Sequence, residues 1–167
     1  MPKTGRPPAW LVGEGDLRLP IVEPAVVGQR LRLTLPLYGR LAVSWLSNDK
    51  ATEVLLVLEQ LGRITILPRS PHADPILQRI AELGAQEPLS AEEREEIIQL
   101  RSRYFLARID RGGRFVLPPL AAAHLQLSAS KGAQVFVAFF DEVIEIWTQT
   151  YRLERMAAFT DEGGTLP

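Results

Sequence analysis

The sequence predicts a mainly β protein with helices, an α+β fold made of two similar strand-rich copies joined by a helical hairpin. Residues 28–36 and 109–118 share one order: a strand, a tight turn, a second strand and a proline. Each proline is followed by a further strand–turn–strand unit, at 52–67 and at 134–147. A repeat spaced by about 80 residues is a fold-level feature, so the two copies predict one compact, pseudo-symmetric unit.

The turn of the second copy is the most informative stretch. Strand-forming residues flank it, and the glycines at 112–113 permit backbone angles that other residues avoid. The turn would therefore present Arg111 and Arg114 on a short, stiff hairpin, where guanidinium groups suit phosphates and guanine edges. The other interpretation is an ordinary hairpin in which Asp110 pairs with Arg114 only to hold the turn.

The first copy repeats this design in residues 28–36. When the final prolines of the two segments are aligned, Arg32 falls on Arg114 and Gly28 falls on Asp110. The recurrence makes a purely structural role for the second turn less attractive, because two separate segments carry arginine at the same place.

The charge distribution supports this interpretation. A net charge of −1 argues against a nonspecific coat on DNA, but residues 101–114 hold five arginines and one acid, and residues 25–48 hold three arginines and no acid. The alternative is a solvated basic face, balanced by the acidic stretch at 87–96. The candidate DNA-binding residues are Arg30, Arg32, Arg111 and Arg114.

The order of elements predicts five segments. These are an N-terminal arm at 1–21, a first copy at 22–69, linker helices at 70–103, a second copy at 104–156 and a C-terminal tail at 157–167. Residues 17–27 are expected as an edge-like strand, because two prolines interrupt them.

Helix signals mark the linker and the end of the second copy. Asp74 is expected to cap the first linker helix, which should end before Gly84. Ser90 begins a capping box for the second linker helix, which should run to about Arg103. A last helix is expected over about 149–159, with Thr148 or Thr150 as its cap.

Composition narrows the function further. The chain of 167 residues has no cysteine, so disulfides and thiolate metal sites are excluded. It has no apolar run long enough to span a membrane and no signal-peptide pattern at its start, which predicts a cytoplasmic protein. Its two histidines are not at metal-ligand spacing, and no nucleophile, base and oxyanion stabiliser assemble. We therefore expect no metal, no cofactor and no enzymatic activity.

One motif resembles a known family. Asp110, Gly113 and Arg114 form an Asp-x-x-Gly-Arg element, followed by Leu-Pro at 117–118, a short helix, and a hairpin that ends Ile-Glu-Ile-Trp at 144–147. This combination resembles the MraZ proteins, which belong to the AbrB/SpoVT-like swapped-hairpin β-barrels. The first copy departs from the motif, because Gly28 and Leu31 stand where the family has Asp and Gly.

The resemblance covers roughly residues 22–156 and carries several expectations. It implies two AbrB-like swapped-hairpin copies that form a β-barrel, the first of them degenerate. Family members are bacterial transcriptional regulators of the division and cell-wall gene cluster, assemble into rings, and contact DNA through motif arginines. By position these are Arg114 and Arg32. A ring repeats the hairpin tips at a fixed spacing, so a promoter with short direct repeats could be bound multivalently.

From these observations we expect a nucleoid-associated, sequence-specific regulator that binds double-stranded DNA as a homo-oligomeric ring. Two other classes remain open. One is a protein-interaction or antitoxin-like module on the same fold that has lost DNA binding, which predicts no salt-sensitive DNA binding. The other is an enzyme of unrecognised type, which would need a pocket with perturbed titratable groups.

Overall fold

The computed structural model describes residues 18–60, 62–127 and 132–161. Most of the arm expected at 1–21, and the end of the tail expected at 157–167, lie outside these residues. Within them the chain has an α+β fold, in which eight strands form one antiparallel, nearly closed, barrel-like sheet with six helices. The predicted α+β class is therefore confirmed.

The strands follow the order β5-β3-β4-β8-β7-β1-β2-β6 around the sheet. The strands are β1 (Ile21–Val27), β2 (Arg32–Thr34), β3 (Thr52–Leu58), β4 (Arg63–Pro68), β5 (Tyr104–Ile109), β6 (Arg114–Val116), β7 (Ala133–Phe139) and β8 (Ile144–Trp147). The helices are α1 (Leu37–Ala42), α2 (Arg69–His72), α3 (Asp74–Gly84), α4 (Ala91–Arg103), α5 (Pro119–His124) and α6 (Gln149–Asp161).

Strand β1 begins later than expected from the sequence, at Ile21. It lies between β7 and β2 in the sheet, but it pairs with β2 only at Val27, while it pairs with β7 along its whole length. In the described part of the chain, the side of β1 away from β7 thus has no strand partner at Pro24. Proline lacks a backbone N–H, which is why this position tolerates it.

The linker helices match the sequence signals in part. The N–H of Glu93 donates to Ser90 Oγ (3.1 Å) and the N–H of Ser90 donates to the Glu93 carboxylate (3.0 Å), so the predicted capping box is confirmed. The predicted Asp74 cap is wrong: Ala73 is the N-cap and Asp74 is the first residue of α3. The short turn α2 leads directly into α3, so the helix starts one residue earlier and also includes Gly84.

The last helix begins where the sequence placed it. Thr148 rather than Thr150 is its cap, because the N–H of Tyr151 donates to Thr148 Oγ1 at 3.0 Å. The helix runs from Gln149 to Asp161 and packs on β7 and β8.

Apolar side chains fill the inside of the sheet and one patch on its outside. The inner cluster joins residues from most strands and from α5, and its fully buried members include Leu33, Leu35, Leu56, Ile64, Leu117, Val137 and Phe139. The outer patch has Leu55, Val57 and Ala73 beneath α3. Burial of this extent is the main stabilising contribution to the fold.

Helix α1 is fixed tightly against β1 and β7, and this contact sets the position of the next residue, Arg40. The N–H of Gly39 donates to the buried Glu23 carboxylate at 3.1 Å. Burial raises the pKa of the Glu23 carboxyl, and the hydrogen bond from Gly39 opposes that shift. The ring of Phe139 lies where a Cβ on Gly39 would be, 2.0 Å from its nearest carbon.

Candidate nucleic-acid interface

The turn between β5 and β6 is a closed, hydrogen-bonded loop. The N–H of Asp110 donates to the carbonyl of Arg114 (2.9 Å), and the N–H of Gly113 donates to the carbonyl of Asp110 (2.9 Å). Gly113 has φ +80°, a left-handed conformation that favours glycine. The glycine predicted as the turn residue thus occupies the position where its backbone freedom is needed.

The carboxylate of Asp110 organises this turn. Its Oδ1 accepts from the backbone N–H groups of Arg114 and Gly112, each at 2.9 Å. The N–H of Arg114 is the main cause of a lowered pKa at Asp110, and the guanidinium of Arg114 adds to it. The carboxylate therefore stays ionised at neutral pH.

Arg114 is oriented by the same carboxylate. Its Nε donates to Asp110 Oδ2 at 3.0 Å, which is the ion pair that the purely structural interpretation expects. No other described residue accepts a hydrogen bond from this guanidinium, whose side chain is 56% exposed. The Nε of Arg114 is thus fixed to Asp110, while its two terminal nitrogens make no hydrogen bond to another described residue.

Strands β2 and β6 form a two-stranded ribbon that carries candidate arginines from both copies. Arg32 pairs with Val116 and Thr34 pairs with Arg114 in the antiparallel register. All four side chains are exposed, while the residue between them in each strand is buried. Because side chains alternate along a strand, the two arginines lie on one outward face, diagonally opposed.

A groove beside the ribbon brings a third arginine to this face. The groove has a volume of about 470 Å³, and its polar lining comes from Arg32, Arg108, Arg114 and Asp110. Arg108 belongs to β5, the strand before the turn. The sequence placed Arg108 in the basic segment but did not single it out, because its direction depends on the register of β5.

The other two candidate arginines lie elsewhere. Arg111 is exposed within the turn, and Arg30 is exposed in a 3₁₀ turn at Gln29–Leu31. Neither lines the groove. The structure therefore brings Arg32 and Arg114 together and leaves Arg30 and Arg111 on the two loops that flank the ribbon.

Arg40 is a further residue at this site. A Cβ on Gly113 would lie 2.4 Å from Arg40 Cδ and 2.6 Å from its Nε, so the arginine packs directly against the turn. Arg40 Nε is buried and has no hydrogen-bond partner. Burial lowers the pKa of Arg40, and attraction to Asp110 opposes this effect. Its position in the basic segment 25–48 was the only sequence signal.

The first-copy turn shares one hydrogen bond with the second but differs in backbone and side chains, since Arg30 (φ +57°) and Leu31 are both left-handed while only Gly113 is so in the second turn. The N–H of Gly28 donates to the carbonyl of Arg32 at 2.8 Å, as Asp110 does to Arg114. Leu31, at the position of the family glycine, has φ +58°. Such an angle costs a residue with a side chain about 1–2 kcal/mol. No carboxylate stands at residue 28, so nothing at that position holds Arg32.

Neither a metal-binding cluster nor a membrane-spanning helix is found in the described ranges of the chain. No group of three or more His, Asp or Glu side chains there is arranged to hold a metal ion, and none of the helices there is long and apolar enough to cross a membrane. No protein-family model matches the chain, and no curated protein shows significant similarity to it.

Proposed function

We propose that this protein is a sequence-specific, double-stranded-DNA-binding transcriptional regulator of the MraZ type. The observation that carries the proposal is the outward face of the β2–β6 ribbon, where Arg32 and Arg114 are diagonal neighbours and Arg108 lies in the adjoining groove. A two-stranded ribbon fits the major groove of DNA, and arginine forks match both guanine edges and phosphates. The basic face is local, which reconciles it with a net charge of −1.

The ribbon register supports a two-copy arrangement. Under the alignment of the two copies, the pair Arg32–Val116 is exchanged for the pair Arg114–Thr34, and both pairs are present. The central pair, Leu33–Phe115, is exchanged into itself, because Leu33 aligns with Phe115. The register is thus what a pseudo-two-fold axis through the middle of the ribbon requires.

Hydrogen bonds between the two segments follow the same exchange. The N–H of Leu35 donates to the carbonyl of Gly113 at 2.8 Å, and the N–H of Leu117 donates to the carbonyl of Leu31 at 2.9 Å. Aligned positions therefore make reciprocal contacts across the ribbon, as two related copies would.

Hairpin placement supports the swapped part of the proposal. The β3–β4 hairpin of the first copy pairs with β5 of the second, and the β7–β8 hairpin of the second copy pairs with β1 of the first. If β1–β4 are exchanged with β5–β8, every strand keeps the same neighbours, provided that β5 and β6, which the turn joins, are counted as neighbours. Each copy would thus complete its sheet with a hairpin from the other.

We further propose assembly into a homo-oligomeric ring. Val22 and Val26 are exposed on the outer face of β1, and Leu153 is exposed on α6. Exposed apolar surface of this kind marks interfaces when it is contiguous. Multi-angle light scattering at micromolar concentration should give a closed oligomer, whereas a monomer alone would contradict the ring.

A protein-interaction or antitoxin-like module is the second candidate. The observation that favours it is the Asp110–Arg114 ion pair, since an arginine that serves only its own turn needs no DNA.

Under the DNA-binding proposal the protein acts in the cytoplasm on the nucleoid, at promoters of division and cell-wall genes with short direct repeats.

The test is the salt dependence of binding to the duplex upstream of the protein's own gene. Labelled upstream DNA and a scrambled duplex of equal composition are titrated between about 50 mM and 200 mM salt. We expect preference for the upstream duplex and an affinity that falls as salt rises. Equal, salt-insensitive affinity for both duplexes, or no binding, would reject DNA-binding regulation and favour the interaction module.

A further inference from the structure

The two matched arginines of the ribbon have different electrostatic surroundings. Arg114 forms an ion pair with Asp110 at 3.0 Å, while no described carboxylate forms a salt bridge with Arg32. The aligned residue beside Arg32 is Gly28, which has no side chain. The pKa of Asp110 is lowered by contacts within its own turn, so its negative charge is present throughout the neutral range.

A fixed negative charge changes what Arg114 can bind. A phosphate that approaches Arg114 also approaches the Asp110 carboxylate, and like charges oppose each other at short range. A neutral base edge meets no such penalty. The ion pair is made through Nε, so the two terminal nitrogens remain without a described acceptor and can serve a bidentate contact with a base.

Support from a second residue adds to this preorientation. Arg40 packs against Gly113 and is attracted to Asp110, so it stabilises the position of the turn and of its carboxylate. The residue aligned with Arg40 in α5 is Ala122, which is too short to act in this way. A side chain held in advance loses less entropy on binding.

Arg32 has the opposite properties. Its side chain is exposed on a three-residue strand, has no described acidic partner, and lies on the same face as Arg108. Asp110 lines the same groove but is paired with Arg114, so Arg32 and Arg108 form no described salt bridge of their own and favour a phosphate.

We propose, on the basis of the proposed function, that the two arginines divide the work of DNA binding: Arg114 reads a base edge, and Arg32 neutralises a phosphate. Phosphate contacts position a protein on DNA and base contacts specify the sequence. The first copy therefore retains a positioning role although its motif is degenerate.

The experiment compares Arg114→Ala and Arg32→Ala on the upstream and the scrambled duplex across a salt series. Arg114→Ala should lose about tenfold or more in affinity for the upstream duplex, with little change on the scrambled one. Arg32→Ala should weaken both duplexes equally and reduce the salt slope by about 1 per bound chain.

A charge-placement variant tests the cause. Gly28 has φ −87°, and a Cβ there would meet only the Arg32 carbonyl, at an ordinary 3.6 Å. Gly28→Asp should therefore fit and place a carboxylate beside Arg32, which should reduce the salt slope and the affinity for the scrambled duplex. Gly28→Asn, of equal size and without charge, is the control and should behave like the parent.

The outcomes separate the two proposals. If the parent prefers neither duplex and shows no salt dependence, the proposed function fails. If the parent binds as expected but Arg32→Ala discriminates between the duplexes as strongly as Arg114→Ala does, only the division of work is overturned. A Gly28→Asp variant with the parent's salt slope would also overturn it.

Discussion

Arg114→Ala is expected to weaken binding to the upstream duplex by about 1–3 kcal/mol for each chain that contacts DNA. The reason is that Asp110 holds Nε of Arg114, and the two remaining nitrogens have no acceptor among the described residues. In the proposed ring, bound to several repeats, the losses combine, so the oligomer should lose far more than one chain does. Fluorescence anisotropy at fixed salt measures the change directly.

A second arginine provides the control for lost charge. Arg94→Ala removes an exposed cation from α4, on the linker, and should leave binding unchanged. Thermal melts of both variants should match the parent, because the turn keeps its backbone hydrogen bonds without the Arg114 side chain. If Arg114→Ala bound the upstream duplex with the parent's affinity, the proposed role of Arg114 in DNA binding would be wrong. A much lower melting temperature would show instead that the Asp110–Arg114 pair holds the turn.

Gly39→Ala is expected to lower the free energy of unfolding by about 1–3 kcal/mol, the usual range for an overpacked core. Alanine is favoured over glycine in a helix by up to about 1 kcal/mol, but the cost of overpacking exceeds this gain, so the net effect is a loss of stability. The added methyl would sit 2.0 Å from the ring of Phe139, which is itself fully buried. Either the ring or α1 must move, and movement of α1 displaces Arg40. Urea denaturation measures the loss.

The matched control is Gly84→Ala. Gly84 is also helical, but a Cβ there meets nothing within 4 Å. Alanine should therefore keep or slightly raise stability, as its higher helix propensity implies. Equal stabilities for the parent and Gly39→Ala would mean that the contact between α1 and the Phe139 ring relaxes without cost.

Local sequence signals were sufficient for most elements of the fold. The capping box at Ser90 places the start of α4 correctly because both of its hydrogen bonds lie within one turn. The same kind of argument misplaced the cap of α3, because α2 precedes it and Ala73 is buried against the outside of the sheet. Tertiary packing, rather than propensity, decided that boundary.

The candidate site was predictable only in part, for a related reason. Alignment of the two segments brought Arg32 and Arg114 into correspondence, and their register on one ribbon face follows from that pairing. The contact of Arg40 with Gly113 joins α1 to the β5–β6 turn, which are far apart in the sequence, and no local pattern encodes it. The positive φ of Leu31 was also hidden, because leucine rarely adopts that conformation.

The interleaved strand order has a consequence for synthesis of the chain. Ile21, near the start of the described residues, pairs with Phe139, and the β3–β4 hairpin needs β5 as its neighbour. Neither half can therefore bury its apolar strands while the other is still in the ribosome. Pairings between distant residues make folding slow, because loop closure precedes any gain from contact. The nascent first half must consequently remain unaggregated until nearly all of the chain has emerged, and a partly synthesised molecule is the species most exposed to misassembly with a neighbour.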